Sequence, residues 1–166
     1  KNAVLPILAA TVLSPEPCEI YDVPQLRDVD VMCRILRSLG AKVDEYPEDH
    51  TIVVDASGIN DTSLPYDLVK QMRASVFLMG PLLARFGSAV MSMPGGCAIG
   101  ARPIDLHDKG LKALGAKIVQ DDASVSAVGS KLHGALIYLD FPSVGATENI
   151  MMAAALAKGS TTIENA

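Results

Sequence analysis

Between Met93 and Asp105 a single thiol, Cys97, stands among Pro94, Gly95, Gly96 and Gly100, with a guanidinium, Arg102, and then Pro103 shortly after it. Glycines allow positive φ and the close approach of a ligand, and the two prolines restrict each end, so the pattern predicts a reactive loop rather than a core strand. Pro103 suits the first turn of a helix, which turns the amides before it, together with Arg102, toward an anion. Such surroundings lower a thiol from about 8.5 and favour thiolate chemistry, either nucleophilic attack or delivery of a proton near neutral pH. Composition alone leaves a second reading open, a Gly/Pro hairpin that happens to carry a small residue.

Other groups with chemical potential are spread along the chain. Taken by themselves, Lys1 reads as a frayed terminus and Arg73 as a solvated helix-end charge. Ser143, Val144 and Gly145 precede a predicted helix, so a hydroxyl and free amides there suit a phosphate, or Ser143 or Thr147 serves as an ordinary N-cap. Arg85, before Gly87, reads as a helix-end charge. His107 and His133 lack cysteine or carboxylate partners at metal spacing, and His50 reads as a solvated turn residue. Neither a metal nor a cofactor is expected. Cys18 and Cys33 read as buried packing residues, Cys18 just before an apolar strand and Cys33 within a helix.

The 166 residues, 49% hydrophobic and 20% charged, are enough for one globular domain with a real core. A net charge of -5 argues against a phosphate-backbone partner, so no nucleic acid is expected. Three cysteines without metal spacing suggest free thiols in a reducing cytoplasm, and no long apolar run or signal-like opening points to a membrane or export. The chain starts at Lys1 without an initiator Met, as a trimmed piece would.

The positioning elements repeat. Leu39-Gly40-Ala41-Lys42-Val43 returns as Leu114-Gly115-Ala116-Lys117-Ile118 at an offset of 75 residues, and the same offset pairs Pro6 with Pro81, Arg27 with Arg102, Asp30 with Asp105 and Leu36 with Leu111. In copy one, Val29, Met32, Ile35, Leu36 and Leu39 predict a helix over 28–39 stopped by Gly40; in copy two the helix runs over 103–114 and stops at Gly115. Strands are expected at 42–46, 51–56, 117–120, 124–128 and 135–141, with Val53, Val54, Ile137 and Leu139 buried. A third copy begins with an Ala/Met-rich helix over 148–158 and a strand over 161–164. Because that copy lacks its second helix, the natural chain is expected to continue, and Ile150, Met151 and Leu156 to lack partners and promote self-association. Copy one carries Tyr21 to Leu26 where copy two carries the glycines and Cys97, so the thiol loop is an elaboration of the scaffold rather than a demand of it.

The run from Pro94 to His107 closely resembles the active-site loop of the UDP-N-acetylglucosamine enolpyruvyl transferases. Lys1-Asn2, Arg73-Ala74-Ser75, the segment from Gly80 to Gly87 and the segment from Ser143 to Asn149 extend the likeness over essentially all 166 residues. The resemblance implies an α/β (α+β) inside-out barrel of repeated helix-strand units, helices inside and sheets outside. On that reading residues 1–166 form most of one domain, with repeats at about 1–75, 76–144 and 145–166, the last truncated, and the second domain is absent. It implies transfer of the enolpyruvyl group of phosphoenolpyruvate to the 3-hydroxyl of UDP-N-acetylglucosamine, with release of phosphate, in peptidoglycan synthesis. Cys97 would be the general acid and the site alkylated by fosfomycin. Lys1 and Arg102 would contact phosphoenolpyruvate, Asn2 the amino sugar and Arg73 the nucleotide phosphates. Two segments, Arg102, Pro103, Ile104, Asp105 and Leu106, and Phe141, Pro142, Ser143 and Val144, would bind the nucleotide. The family's second domain supplies a base and further arginines, so the chain alone should not turn over. A binding module that senses oxidants through Cys97 is the alternative.

Overall fold

One unit occurs twice in succession in the computed structural model, which describes residues 2–92, 104–121 and 123–166. In the first copy, helix α1 (Val4–Ala10) leads to strand β1 (Cys18–Ile20), helix α2 (Arg27–Ser38) and strands β2 (Lys42–Tyr46) and β3 (Thr51–Asp55). A short helix α3 (Tyr66–Val69) and a 3-10 stretch (Arg73–Leu78) connect to the second copy: α4 (Met79–Phe86), β4 (Ser88–Ser92), α5 (Asp105–Ala113), β5 (Lys117–Gln120) and β6 (Ser124–Val128). Strand β7 (Leu136–Tyr138), helix α6 (Val144–Ala154) and strand β8 (Thr162–Glu164) follow.

The sheets repeat as well. Their orders are β1-β3-β2 and β4-β6-β5, antiparallel throughout, whereas β7 and β8 pair in parallel, an arrangement that requires a crossover connection, here supplied by α6. Residues 62–64 run parallel to β4 in the same manner, through Leu64 N–H to Val90 O (2.8 Å) and Val90 N–H to Thr62 O (2.9 Å). Both α2 and α5 end in a left-handed glycine, Gly40 at φ 107° and Gly115 at φ 99°. The residue after each bonds back to the helix at 3.0 Å, Ala41 to Leu36 and Ala116 to Leu111, so the repeated Leu-Gly-Ala is a repeated helix stop.

Strands β3, β4 and β6 bury alternate residues, one face inward and the other toward solvent. Helix α4 has no exposed residue and packs against α6, β4 and the 3-10 stretch, so helices lie inside and sheets outside. The pleat corrects one expectation: Ile52 and Val54 are buried, and Val53, between them, is only half-buried.

Helix α6 is held by two glycines that have no room for a side chain. A Cβ on Gly80 would come within 2.3 Å of the Asn149 carbonyl oxygen, and one on Gly110 within 2.1 Å of Ile150 Cδ1. Ile150 is thereby fully buried, contrary to the expectation that it lacks partners, whereas Met151 and Leu156 are exposed. Helix α6 begins four residues before the expected 148–158 span, because Ser143 caps it: its hydroxyl oxygen accepts the Ala146 N–H at 3.3 Å; it also ends four residues early, at Ala154. Strand β7 covers only residues 136–138 of the expected 135–141, the three that pair with β8.

Two side chains differ from their sequence readings. Arg85 is a clamp between the copies rather than a helix-end charge: its guanidinium donates to the carbonyls of Val12 (2.9 Å), Ser14 (2.9 Å) and Ala56 (3.1 Å). Cys33 is buried, and burial pushes its thiol up to about 12. Cys18 is only half-buried, because it opens β1 at the sheet edge, with its thiol toward the Glu16 carbonyl.

Gly110→Ala should cost about 1–3 kcal/mol in urea unfolding, as overpacking does. Gly80→Ala should cost more, because its clash is with helix backbone and not with a side-chain tip. The double variant Gly110→Ala/Ile150→Ala should be less destabilised than the sum of its single variants, since the second change removes the atoms the first one meets.

Candidate functional site

An open cleft of about 1070 Å³ forms where the two copies and α6 meet. Asn2 and Leu5 come to it from the start of α1, Asp28 from α2, and Arg73, Val76 and Phe77 from the 3-10 stretch. Leu106 and His107 come from α5, Phe141 from the bend after β7, and Ser143, Val144, Gly145 and Glu148 from the start of α6. The fold thus gathers Asn2, Arg73, Leu106, Phe141, Ser143 and Val144, which lie up to 142 residues apart in the chain.

Other expected site residues stand apart from this wall. Ile104 is buried where it caps α5, Asp105 is exposed in the first turn of that helix, where its charge suits the helix dipole, and Pro142 is exposed beside the cleft. Lys1, Cys97, Arg102 and Pro103 lie outside the described residues.

The cleft offers apolar surface together with groups suited to an anion, and it also has two carboxyls, Asp28 and Glu148. Phe141 and Val144 expose large apolar surfaces at its edge, 60% and 76% of each residue. Opposite charge is supplied by Arg73 and by the start of α6, whose first-turn amides, including those of Val144 and Gly145, have no partner within the helix. The two readings of Ser143 are compatible, since its oxygen caps Ala146 while its hydroxyl hydrogen stays available to a ligand. Glu148 is the cleft's counterweight, and burial raises its carboxyl above the usual range.

His107 and Asn149 were not expected at this site. His107 is buried, and burial together with the Arg73 charge holds its imidazole down to about 4, so it is neutral at pH 7. Asn149, fully buried in α6, bonds to three elements: its Oδ1 accepts the Gly80 N–H at 2.8 Å, and its Nδ2 lies 3.2 Å from Val76 O and 3.0 Å from His107 Nδ1. The internal repeat could have marked the first, and helix composition the second. At the 75-residue offset His107 stands where copy one has the fully buried Met32, and Asn149 interrupts an otherwise Ala- and Met-rich helix face. Among the described residues no group of three His, Cys, Asp or Glu side chains is placed to hold a metal ion, and no helix is long and apolar enough to cross a membrane.

The depressed histidine sets a pH dependence. Unfolded, the imidazole takes up a proton near 6.5; folded, it stays neutral to about 4. The stabilisation is therefore complete above about pH 6.5 and is lost as the pH falls toward 4, by about 3 kcal/mol in all. His107→Gln should flatten the difference between urea-unfolding curves taken at pH 7 and pH 4.5. The comparison with wild type removes the opposite trend expected from the raised carboxyls of Asp108 and Glu148.

Comparison with known proteins places this architecture. The chain is 52% identical to the UDP-N-acetylglucosamine 1-carboxyvinyltransferase of Finegoldia magna and 56% identical to that of Vibrio parahaemolyticus, in each case over the whole of this chain and 39% of the relative. It therefore spans about two-fifths of the length of these curated relatives. Among solved structures, the enolpyruvyl transferase NikO from Streptomyces tendae superposes with a TM-score of 0.83 at 24% identity, over 96% of this chain and 38% of that one. EPSP synthase from Acinetobacter baumannii superposes with a TM-score of 0.72 at 20% identity, over 95% of this chain and 37% of that one; at these identities the likeness is one of fold. Residues 1–166 match the family model of EPSP synthase (3-phosphoshikimate 1-carboxyvinyltransferase), and the chain belongs to that family.

Proposed function

We propose that this chain is the part of a UDP-N-acetylglucosamine enolpyruvyl transferase that binds the sugar nucleotide and carries the reactive thiol. The whole protein moves the enolpyruvyl group of phosphoenolpyruvate to the sugar 3-hydroxyl and releases phosphate. The observation that carries this reading is the single cleft into which Asn2, Arg73, Leu106, Phe141, Ser143 and Val144 converge, with an aromatic edge for a base and a cationic, amide-lined wall for a diphosphate. The names of the curated relatives agree with it and lend no support to a redox-sensing module.

Each residue takes a role from its setting or from the family resemblance. Arg73 and the start of α6 neutralise the diphosphate, Asn2 orients the amino sugar, and Phe141, with Pro142 and Leu106, borders the base. By resemblance, Pro103, Ile104 and Asp105 belong to the same nucleotide segment, Lys1 and Arg102 contact the donor, Arg102 also belonging to that segment, and Cys97 delivers the proton to the methylene carbon. Charge is balanced by these cations without a metal or a cofactor. The three repeats form most of one domain of a cytoplasmic enzyme of peptidoglycan synthesis. Exposed Met151 and Leu156 give the 166-residue chain a surface for self-association, which sedimentation would detect.

The test is phosphate release by full-length protein supplied with both substrates; a folded enzyme that releases none removes this reading. Arg73→Ala should weaken UDP-N-acetylglucosamine binding by about tenfold or more, the worth of a hydrogen bond to a charged group. Fosfomycin with the sugar nucleotide should leave one adduct, on Cys97, and Cys97→Ser should abolish it. Equal labelling of Cys18, Cys33 and Cys97 would leave the loop thiol without a special role.

A further inference from the structure

The buried pair His107 and Asn149 has a definite hydrogen-bond polarity. Asn149 Oδ1 accepts the Gly80 N–H and Nδ2 donates to the Val76 carbonyl, and these two backbone groups fix the amide. Flipped, it would set N–H against N–H and oxygen against oxygen in an interior site. The remaining Nδ2 hydrogen points to His107 Nδ1 at 3.0 Å, which must accept it through a lone pair. In a neutral imidazole the single proton is then on Nε2.

No described residue accepts a bond from that Nε2–H, although His107 lines the cleft. The ring adjoins the start of α6, where a Cβ added to Gly145 would lie 3.7 Å from Cε1, and the Arg73 charge acts on the imidazole. Arg73, the α6 amides and the imidazole thus share one anion-facing wall. We propose that Asn149 positions His107 as a neutral Nε2–H donor to a phosphoryl oxygen of the bound sugar nucleotide, beside the Arg73 guanidinium. The inference rests on the substrate reading above and adds to it a donor and the residue that orients it.

A neutral donor suits this place better than an imidazolium. A second cation would be repelled by Arg73, and a proton on Nδ1 would face the Asn149 N–H. Among the described residues the ionisable groups lining the cleft with His107 are Asp28, Arg73 and Glu148, and those within two residues of it on its own helix are Asp105, Asp108 and Lys109. Buried packing alone would account for a histidine here, but it would not require one tautomer, nor a response to ligand.

The test is nitrogen-15 NMR of the labelled chain together with calorimetric titration of UDP-N-acetylglucosamine. The spectrum without ligand should show an unprotonated Nδ1 and a protonated Nε2 from pH 6 to 8, and the Nε2 signal should move when the nucleotide sugar is added. His107→Gln, which keeps an N–H near the position of Nε2, should bind within about threefold of wild type. His107→Phe, which keeps the volume without the donor, should bind about tenfold more weakly. An Nδ1–H tautomer, an imidazolium, or equal weakening by both substitutions overturns the proposal. If the wild-type chain does not bind the nucleotide sugar, the substrate reading and the ligand half of this proposal fall, while the ligand-free spectrum still decides the tautomer.

Discussion

The docking of α6 onto α4 and α5 is the constraint on which the rest of this structure depends. It is a contact without slack: Gly80 and Gly110 bring the helices to a separation at which no side chain fits, and the Asn149 amide fills the gap on one side while Ile150 fills it on the other. Interiors packed to this density do not deform gradually, so the position of α6 is tied to that of the second repeat. Everything the start of α6 presents to the cleft, from the Ser143 hydroxyl to Glu148, takes its place from that contact.

The same contact turns a structural polar group into a chemical one. A buried asparagine has to satisfy its hydrogen bonds, and Asn149 does so with two backbone groups and one imidazole nitrogen, each from a different element. Burial and the nearby Arg73 charge then keep that imidazole neutral. Among the described residues the cleft therefore has its fixed positive charge in Arg73 and the helix dipole, with a neutral ring beside them.

The two repeats show how a common scaffold can be diversified. Both keep the helix stop at glycine, the sheet order and the inward face of the second helix. At equivalent positions, Met32 is replaced by His107, Cys33 by Asp108 and Ile35 by Gly110. The first two changes put polar groups where the first copy has apolar packing, and the third opens the space that Ile150 enters. Arg85 ties the copies together by donating to the carbonyls of Val12, Ser14 and Ala56, a contact between segments that are remote in the chain.

Local pattern was enough to read the repeat, both helix stops, and α2 with its buried Val29, Met32, Ile35, Leu36 and Leu39, because periodicity and a terminal glycine act within a few residues of chain. Asn2, Arg73, Leu106, Phe141, Ser143 and Val144, which line the cleft, were marked by the resemblance of their segments to a known family and not by periodicity. Local pattern could not show that Arg85 reaches three carbonyls of the first repeat, that Val53 turns away from the core, or that Ile150 finds its partner in the space left by Gly110. Nor could it show that Asn149 reaches His107, 42 residues away in the chain. These depend on distances between elements, which are set by packing and by the need to pair every buried polar group, and those conditions exist only once the helices have met.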